Sequence, residues 1–211
     1  MRALPLFLVA LSLVVAAGAH ADVVEVEATG TVVFNGITTA PLNGVTVGQT
    51  AVVSFEVDSN NFVDGVPGDT RGYVIDQPSF SLAFSGGVSV GLLSPFPAGQ
   101  TPYFTLVESF PVSDGFFVST SPVSPGGVPI AQTPLQFNLD LGYDGSTLTS
   151  LDILDAQGTY GFGGLTRFGF NLWQIVPDNV RLDIEFASLT IQAQSTAADA
   201  SSWGKVKALF R

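Results

Sequence analysis

Apolar and polar side chains alternate with a period of two along most of this chain, and that rhythm limits what it can fold into. Ala51, Val53, Phe55 and Val57 alternate with Val52, Ser54 and Glu56. Phe80, Leu82 and Phe84 alternate with Ser79, Ser81 and Ala83, and Leu135, Phe137, Leu139 and Leu141 with Gln136, Asn138 and Asp140. Phe168, Phe170 and Leu172, then Leu182, Ile184 and Phe186, then Leu189 and Ile191 repeat the pattern. Successive side chains of a strand point to opposite faces, so each run lays an apolar face on one side and a wettable face on the other. Turn formers between the runs deny any long helix. Asn35-Gly36 and Asn43-Gly44 suit tight hairpin turns, and Asp64-Gly65, Asp114-Gly115 and Asp144-Gly145 act similarly. Many short strands with frequent punctuation indicate a sandwich or a barrel. The expectation is all-β: a two-sheet antiparallel β-sandwich, jelly-roll-like, over residues 22–193.

Hydrophobic residues make up 46% of the chain, with 17 phenylalanines, while charged residues are only 12%. That is enough apolar material for a large core, so the default is a folded domain rather than disorder. Between residues 94 and 134, prolines stand at 95, 97, 102, 111, 122, 125, 129 and 134. Proline cannot donate to a ladder, so short edge strands at 103–107 and 115–119, joined by long loops, are expected there. Loops of that kind are where a binding surface would sit.

Residues 1–21 read as a cleaved secretory signal: Arg2, an apolar stretch from Ala3 to Ala17, and Ala19-His20-Ala21 as the small-residue cleavage pattern. The implied location is secreted, extracellular or attached to the cell surface, with the periplasm as the other exported compartment. Nothing after the signal is a long apolar run, so no transmembrane segment is expected in the mature chain. His20 is the chain's one histidine and there is no cysteine. A chain processed at that point lacks thiol nucleophiles, histidine triads, imidazole proton shuttles and the usual zinc ligands. Processing also removes Arg2, leaving six basic residues against 18 acidic ones, a balance that repels phosphate backbones and argues against nucleic acid as partner.

The run Val47-Gly48-Gln49-Thr50-Ala51-Val52-Val53-Ser54-Phe55-Glu56-Val57-Asp58-Ser59, followed by Gly68-Asp69-Thr70-Arg71-Gly72-Tyr73, resembles exported bacterial β-sandwich proteins that often carry a PEP-CTERM sorting tail. The tail itself is absent, since neither a Pro-Glu-Pro nor an apolar span precedes the terminal basic residues. The resemblance implies an exported, surface- or matrix-associated protein and carries over no catalytic residues.

Several residue groups invite a functional reading. Asp58, Asn60, Asp64 and Asp69 crowd one polar loop, and calcium prefers such hard oxygen ligands; the alternative is a solvated loop whose side chains cap turns. Calcium is the one cofactor this sequence raises. Arg71 is expected to pair with a nearby carboxylate such as Asp69 or Asp76. Tyr73, Tyr103 and Trp173 are candidates for stacking on a sugar ring. Asp183 and Glu185 lie on one strand face, as a glycosidase pair would, but Arg181 stands where jelly-roll β-glucanases place their first glutamate. Residues 194–201 have the composition of a linker, and residues 202–211 form a basic, amphipathic tail. Ser202 could cap a short helix there, with Trp203, Val206 and Phe210 on one face and Lys205, Lys207 and Arg211 around it. The tail is a candidate sorting or docking segment, with sorting machinery as its partner. The leading expectation is a non-enzymatic cell-surface or extracellular-matrix protein. A carbohydrate- or calcium-binding module, engaging a surface glycan or matrix component, is the alternative, and a divergent glycan-active enzyme the third.

Overall fold

A computed structural model of the chain describes residues 22–108, 113–132, 134–145, 147–176 and 179–194. In chain order its strands are β1 (Val23–Asn35), β2 (Thr50–Asp64), β3 (Thr70–Ile75), β4 (Ser81–Phe84), β5 (Ser89–Val90) and β6 (Tyr103–Val107). They continue with β7 (Asp114–Ser119), β8 (Val128–Pro129), β9 (Leu135–Tyr143), β10 (Gly158–Tyr160), β11 (Leu165–Gln174) and β12 (Val180–Ala193). The predicted helical tail and signal fall outside the described residues.

The all-β expectation holds, but the two-sheet, jelly-roll arrangement does not. β2, β3, β6, β7, β9, β11 and β12 follow one another around a wall, each antiparallel to the next, and β1 pairs with both β12 and β2. The eight strands therefore close into an up-and-down barrel. A sandwich needs two sheets with open edges; here the terminal strands meet through β1, which abolishes the edges. The segments expected as edge strands are wall strands instead. β7 is buried on both faces, because residues 120–127 fold back over the outside. Pro122 lies so near Gly72 that a Cβ there would stand 2.7 Å from the proline's Cβ.

The wall forks at one end. The first half of β2 pairs with β4 and its second half with β3, while β9 switches from β8 to β7. A Leu92–Ile130 bridge links the β4–β5 flap to β8. The Asn-Gly pairs serve this same end rather than forming two-residue hairpins. The Asn35 side chain donates to the carbonyls of Leu42 and Val45 and accepts from the Ile37 amide, folding residues 36–45 over the opening. Ile37, Leu42 and Val45 are buried there.

Aromatic rings fill the interior. Phe170, Phe137, Phe80, Phe55, Phe104, Phe116 and Tyr160 form a continuous series with centroids 4.7–5.9 Å apart. An eight-stranded barrel is just wide enough for side chains to fill it, which accounts for the richness in phenylalanine. Residues 147–157 plug the second end. The Tyr73 hydroxyl donates to the Leu151 carbonyl (2.7 Å) and accepts from the Ile153 amide (2.9 Å), and a buried Asp114 oxygen accepts from the Leu148 amide (2.7 Å).

Burial pushes the Tyr143 phenol up to about 12, with Tyr160 adding to the shift, and raises those of Tyr73 and Tyr160. The fold thus favours neutral phenols, and a tyrosine in the unfolded chain ionises near 10. Their contribution to stability is complete below pH 10 and is lost as pH rises through about 12. Denaturant midpoints should accordingly fall across that window, with phenolate absorbance appearing together with loss of near-ultraviolet dichroism. Phenolate formed at the ordinary pKa with the dichroism intact would mean that the plug is open.

Candidate functional site

The wall's wettable face points outward, so any site on this barrel is built from the alternate residues of its strands. On β11, Leu172 and Gln174 are fully buried and Trp173 between them is partly exposed. Register then sets its neighbours. Trp173 lies opposite Gln136 of β9 and Arg181 of β12, and Asn171 lies opposite Asn138 and Asp183. Two cross-strand rows result, Gln136–Trp173–Arg181 and Asn138–Asn171–Asp183, one indole among amides, a guanidinium and a carboxylate.

Two open clefts meet at Trp173. One, of about 400 Å³, is lined by Gly126, Gly127, Gln136, Asn138, Trp173 and Ile175. The other, of about 530 Å³, is lined by Phe34, Trp173, Asn179, Val180 and Arg181. Arg181 is fixed by Asp183 at 2.8 Å, and its guanidinium carbon stands 5.9 Å from the indole centroid. The Asn171 Oδ1 is buried and has no hydrogen-bond partner among the described residues, so it is closed to a ligand; Asn171 lines a neighbouring cleft with Phe168, Arg181 and Asp183 instead. Phe34 and Ile175 are about half exposed, at 50% and 47%. An indole that offers a flat apolar surface, ringed by planar amides and ions, suits a ligand with one apolar face and a hydroxylated rim.

The other sequence candidates are dispersed. Tyr73 is fully buried with its hydroxyl engaged by the plug, so its ring faces the core rather than a ligand. Tyr103 is partly buried, with its ring against Gly72. Asp58, Asn60 and Asp64 lie within β2 rather than in a loop: the Asp58 carboxylate accepts from the Asn60 amide at the irregularity between Val57 and Phe62, and Asp64 is paired with Arg71 at 2.6 Å. Arg71 thus chooses Asp64 rather than Asp69 or Asp76, and it also covers the Phe62 ring at 4.0 Å. Asp69 sits in the turn before β3, where its carbonyl accepts from the Glu108 amide. Among the described residues no group of three or more histidine, cysteine or carboxylate side chains is placed to hold a metal ion. Asp183 is occupied by Arg181, and Glu185 is exposed beside Thr31 of β1. Trp203, Lys205, Val206, Lys207, Phe210 and Arg211 lie outside the described residues.

Sequence reading missed Gln136, Asn138 and Phe34 as members of a site. The outward parity of the first two was legible in the alternation, but their alignment beside Trp173 was not. The barrel's polarity is also informative. Glu25, Glu27, Glu185 and Arg181 are on the outside and most of the described phenylalanines are buried, the reverse of a membrane-spanning barrel, whose outer band is apolar. No protein-family model, curated protein or solved structure matches the chain.

Proposed function

We propose that this chain is an exported, non-enzymatic surface or matrix protein that binds a carbohydrate on its outer wall, across the two rows centred on Trp173. The observation that carries the reading is the position of Trp173: one partly exposed indole at the junction of two clefts, flanked by Gln136, Asn138 and Arg181. A pyranose ring offers an apolar face to the indole and equatorial hydroxyls to the amides. The filled interior supports an outer-wall site over a lipocalin-like one, because aromatic rings occupy the space a ligand would need. The non-enzymatic reading rests on the lack of imidazole and thiol downstream of the signal. Export rests on the signal pattern, and sorting or attachment is the role proposed for residues 202–211.

A panel of immobilised glycans tests the binding reading. Trp173→Ala should weaken binding of any captured glycan by roughly tenfold, since stacking on an aromatic contributes about 0.5–1.5 kcal/mol beyond the area it buries. Gln136→Ala should weaken it less, and Tyr103→Ala should leave it unchanged. Glycan binding indifferent to Trp173→Ala, or no binding to any member of a broad panel, would remove the proposal.

A further inference from the structure

We infer that the cleft beside the end of β12 is a docking groove for the chain's own residues 202–211. This open cleft of about 510 Å³ lies on the opposite side of β1 from the Trp173 rows and is lined by Val23, Glu56, Asp58, Val74, Asp76 and Pro78. Its acidity is built in by register. Glu56 stands directly opposite Glu25 on β1, a like-charge pair that destabilises a ladder unless a cation answers it. No cation does so among the described residues. Arg71, Arg167 and Arg181 are the basic side chains there, each is held by an aspartate (Asp64, Asp140 and Asp183), and none lines this cleft.

Beside the α-amino group that processing leaves on Asp22, the remaining cations of the exported chain are the side chains of Lys205, Lys207 and Arg211, and the two lysines are the chain's full complement of that residue. The path of the backbone brings them within reach. After β12, the Gln194 amide donates to the Val23 carbonyl (2.8 Å) and its side chain to Glu56 Oε1 (2.9 Å). The segment beyond Gln194 therefore departs from the rim of the cleft itself. Residues 195–201 span at most about 25 Å when extended, more than enough to turn back. Trp203, Val206 and Phe210 alternate with the cations and match the apolar patches of Val23, Val74 and Pro78. Each exposed ion pair adds less than about 1 kcal/mol, but a short tether holds the segment at millimolar effective concentration, so several weak contacts suffice. The docked segment is withheld from any other partner, and a rise in salt or a competing polyanion releases it. This inference is independent of the ligand proposed for Trp173.

Carbodiimide, which joins amines to carboxylates without a spacer, tests it on the full chain. Peptide mass spectrometry should find Lys205 or Lys207 linked to Glu25, Glu56, Asp58 or Asp76. In a mixture of isotopically light and heavy chains the links should stay within one molecule, and about 0.5 M salt should cut their yield several-fold. Lys205→Glu with Lys207→Glu, changes outside the barrel, should speed amide exchange in residues 76–80 several-fold. Links confined to other carboxylates, links between molecules, no links at all, or exchange indifferent to the charge reversal would each overturn the inference.

Discussion

Phe116→Ala is expected to cost about 3–5 kcal/mol, a large fraction of the roughly 5–15 kcal/mol that holds a domain together. The ring is fully buried and touches three others: Phe104 stacked at 5.9 Å, Tyr160 at 4.7 Å and Tyr143 edge-on at 6.2 Å. Those partners sit on β6, β10 and β9, so the wall cannot collapse onto the void without parting strands that are hydrogen-bonded elsewhere. The void also lies under the plug, where Tyr143 and Tyr160 donate to the carbonyls of Gly161 and Ala156. Loss of the ring therefore reaches the loop as well as the core. Phe168→Ala is the matched control, because that ring is 48% exposed; it should cost under about 1 kcal/mol. Urea midpoints read by near-ultraviolet dichroism separate the two. Equal midpoints would mean that the interior is not packed as described.

Phe168 also shows how far alternation could carry the fold. Its parity with Phe170 and Leu172 places it inward, and those two are buried. Yet β12 pairs with β11 only from Asn171 to Gln174. Above that point the two strands diverge, and Phe168 meets Phe162 at the surface gap. Periodicity within a strand fixes which side chains share a face; it cannot fix how long two strands stay together. The same limit hid the barrel. The inward sets of β2, β9 and β12 were legible residue by residue, and they would look identical in a sandwich. What distinguishes the two is β1, where Thr29 bonds Ser188 across 159 positions of sequence. Pairing at that range depends on every intervening strand and leaves no local mark.

The site divides in the same way. That Trp173 faces outward followed from its parity, opposite to that of Phe170 and Leu172, whereas the burial of Tyr73 depends on Leu151 and Ile153, about 80 positions away. A tyrosine flanked by Gly72 and Val74 carries no sign of that. The pairing of Arg71 with Asp64 came from the β2–β3 register, which sets the two directly opposite. From sequence alone, Asp69 was nearer along the chain and equally acidic.

Gly30→Val is expected to open the barrel along the β1–β12 seam, at a cost above about 3 kcal/mol. Gly30 sits at the register shift where β1 passes from Ser188 to Phe186, and a Cβ built on it would lie 2.4 Å from the Glu185 carbonyl oxygen and 2.5 Å from Ile184 Cγ2. A side-chain tip can rotate away from such an intrusion, but the Glu185 carbonyl belongs to the backbone. β1 must then move, and it is already held on its other edge by β2, with Gly30 opposite Ala51. Displacing it exposes the edge of β12 from Leu182 to Ala193, a long unpaired ladder that recruits other chains. The expected readouts are a large fall in urea midpoint and concentration-dependent association on gel filtration. Thr31→Val, one position along and facing solvent, should shift the midpoint by no more than about 0.5 kcal/mol. A Gly30→Val chain that stays monomeric with the midpoint of the parent would show that β1 does not close the ring. Sensitivity at residue 30 with tolerance at residue 31 is what a barrel sealed by its first strand requires, and a sandwich with β1 at an open edge would not show it, because there the strand could shift outward into solvent.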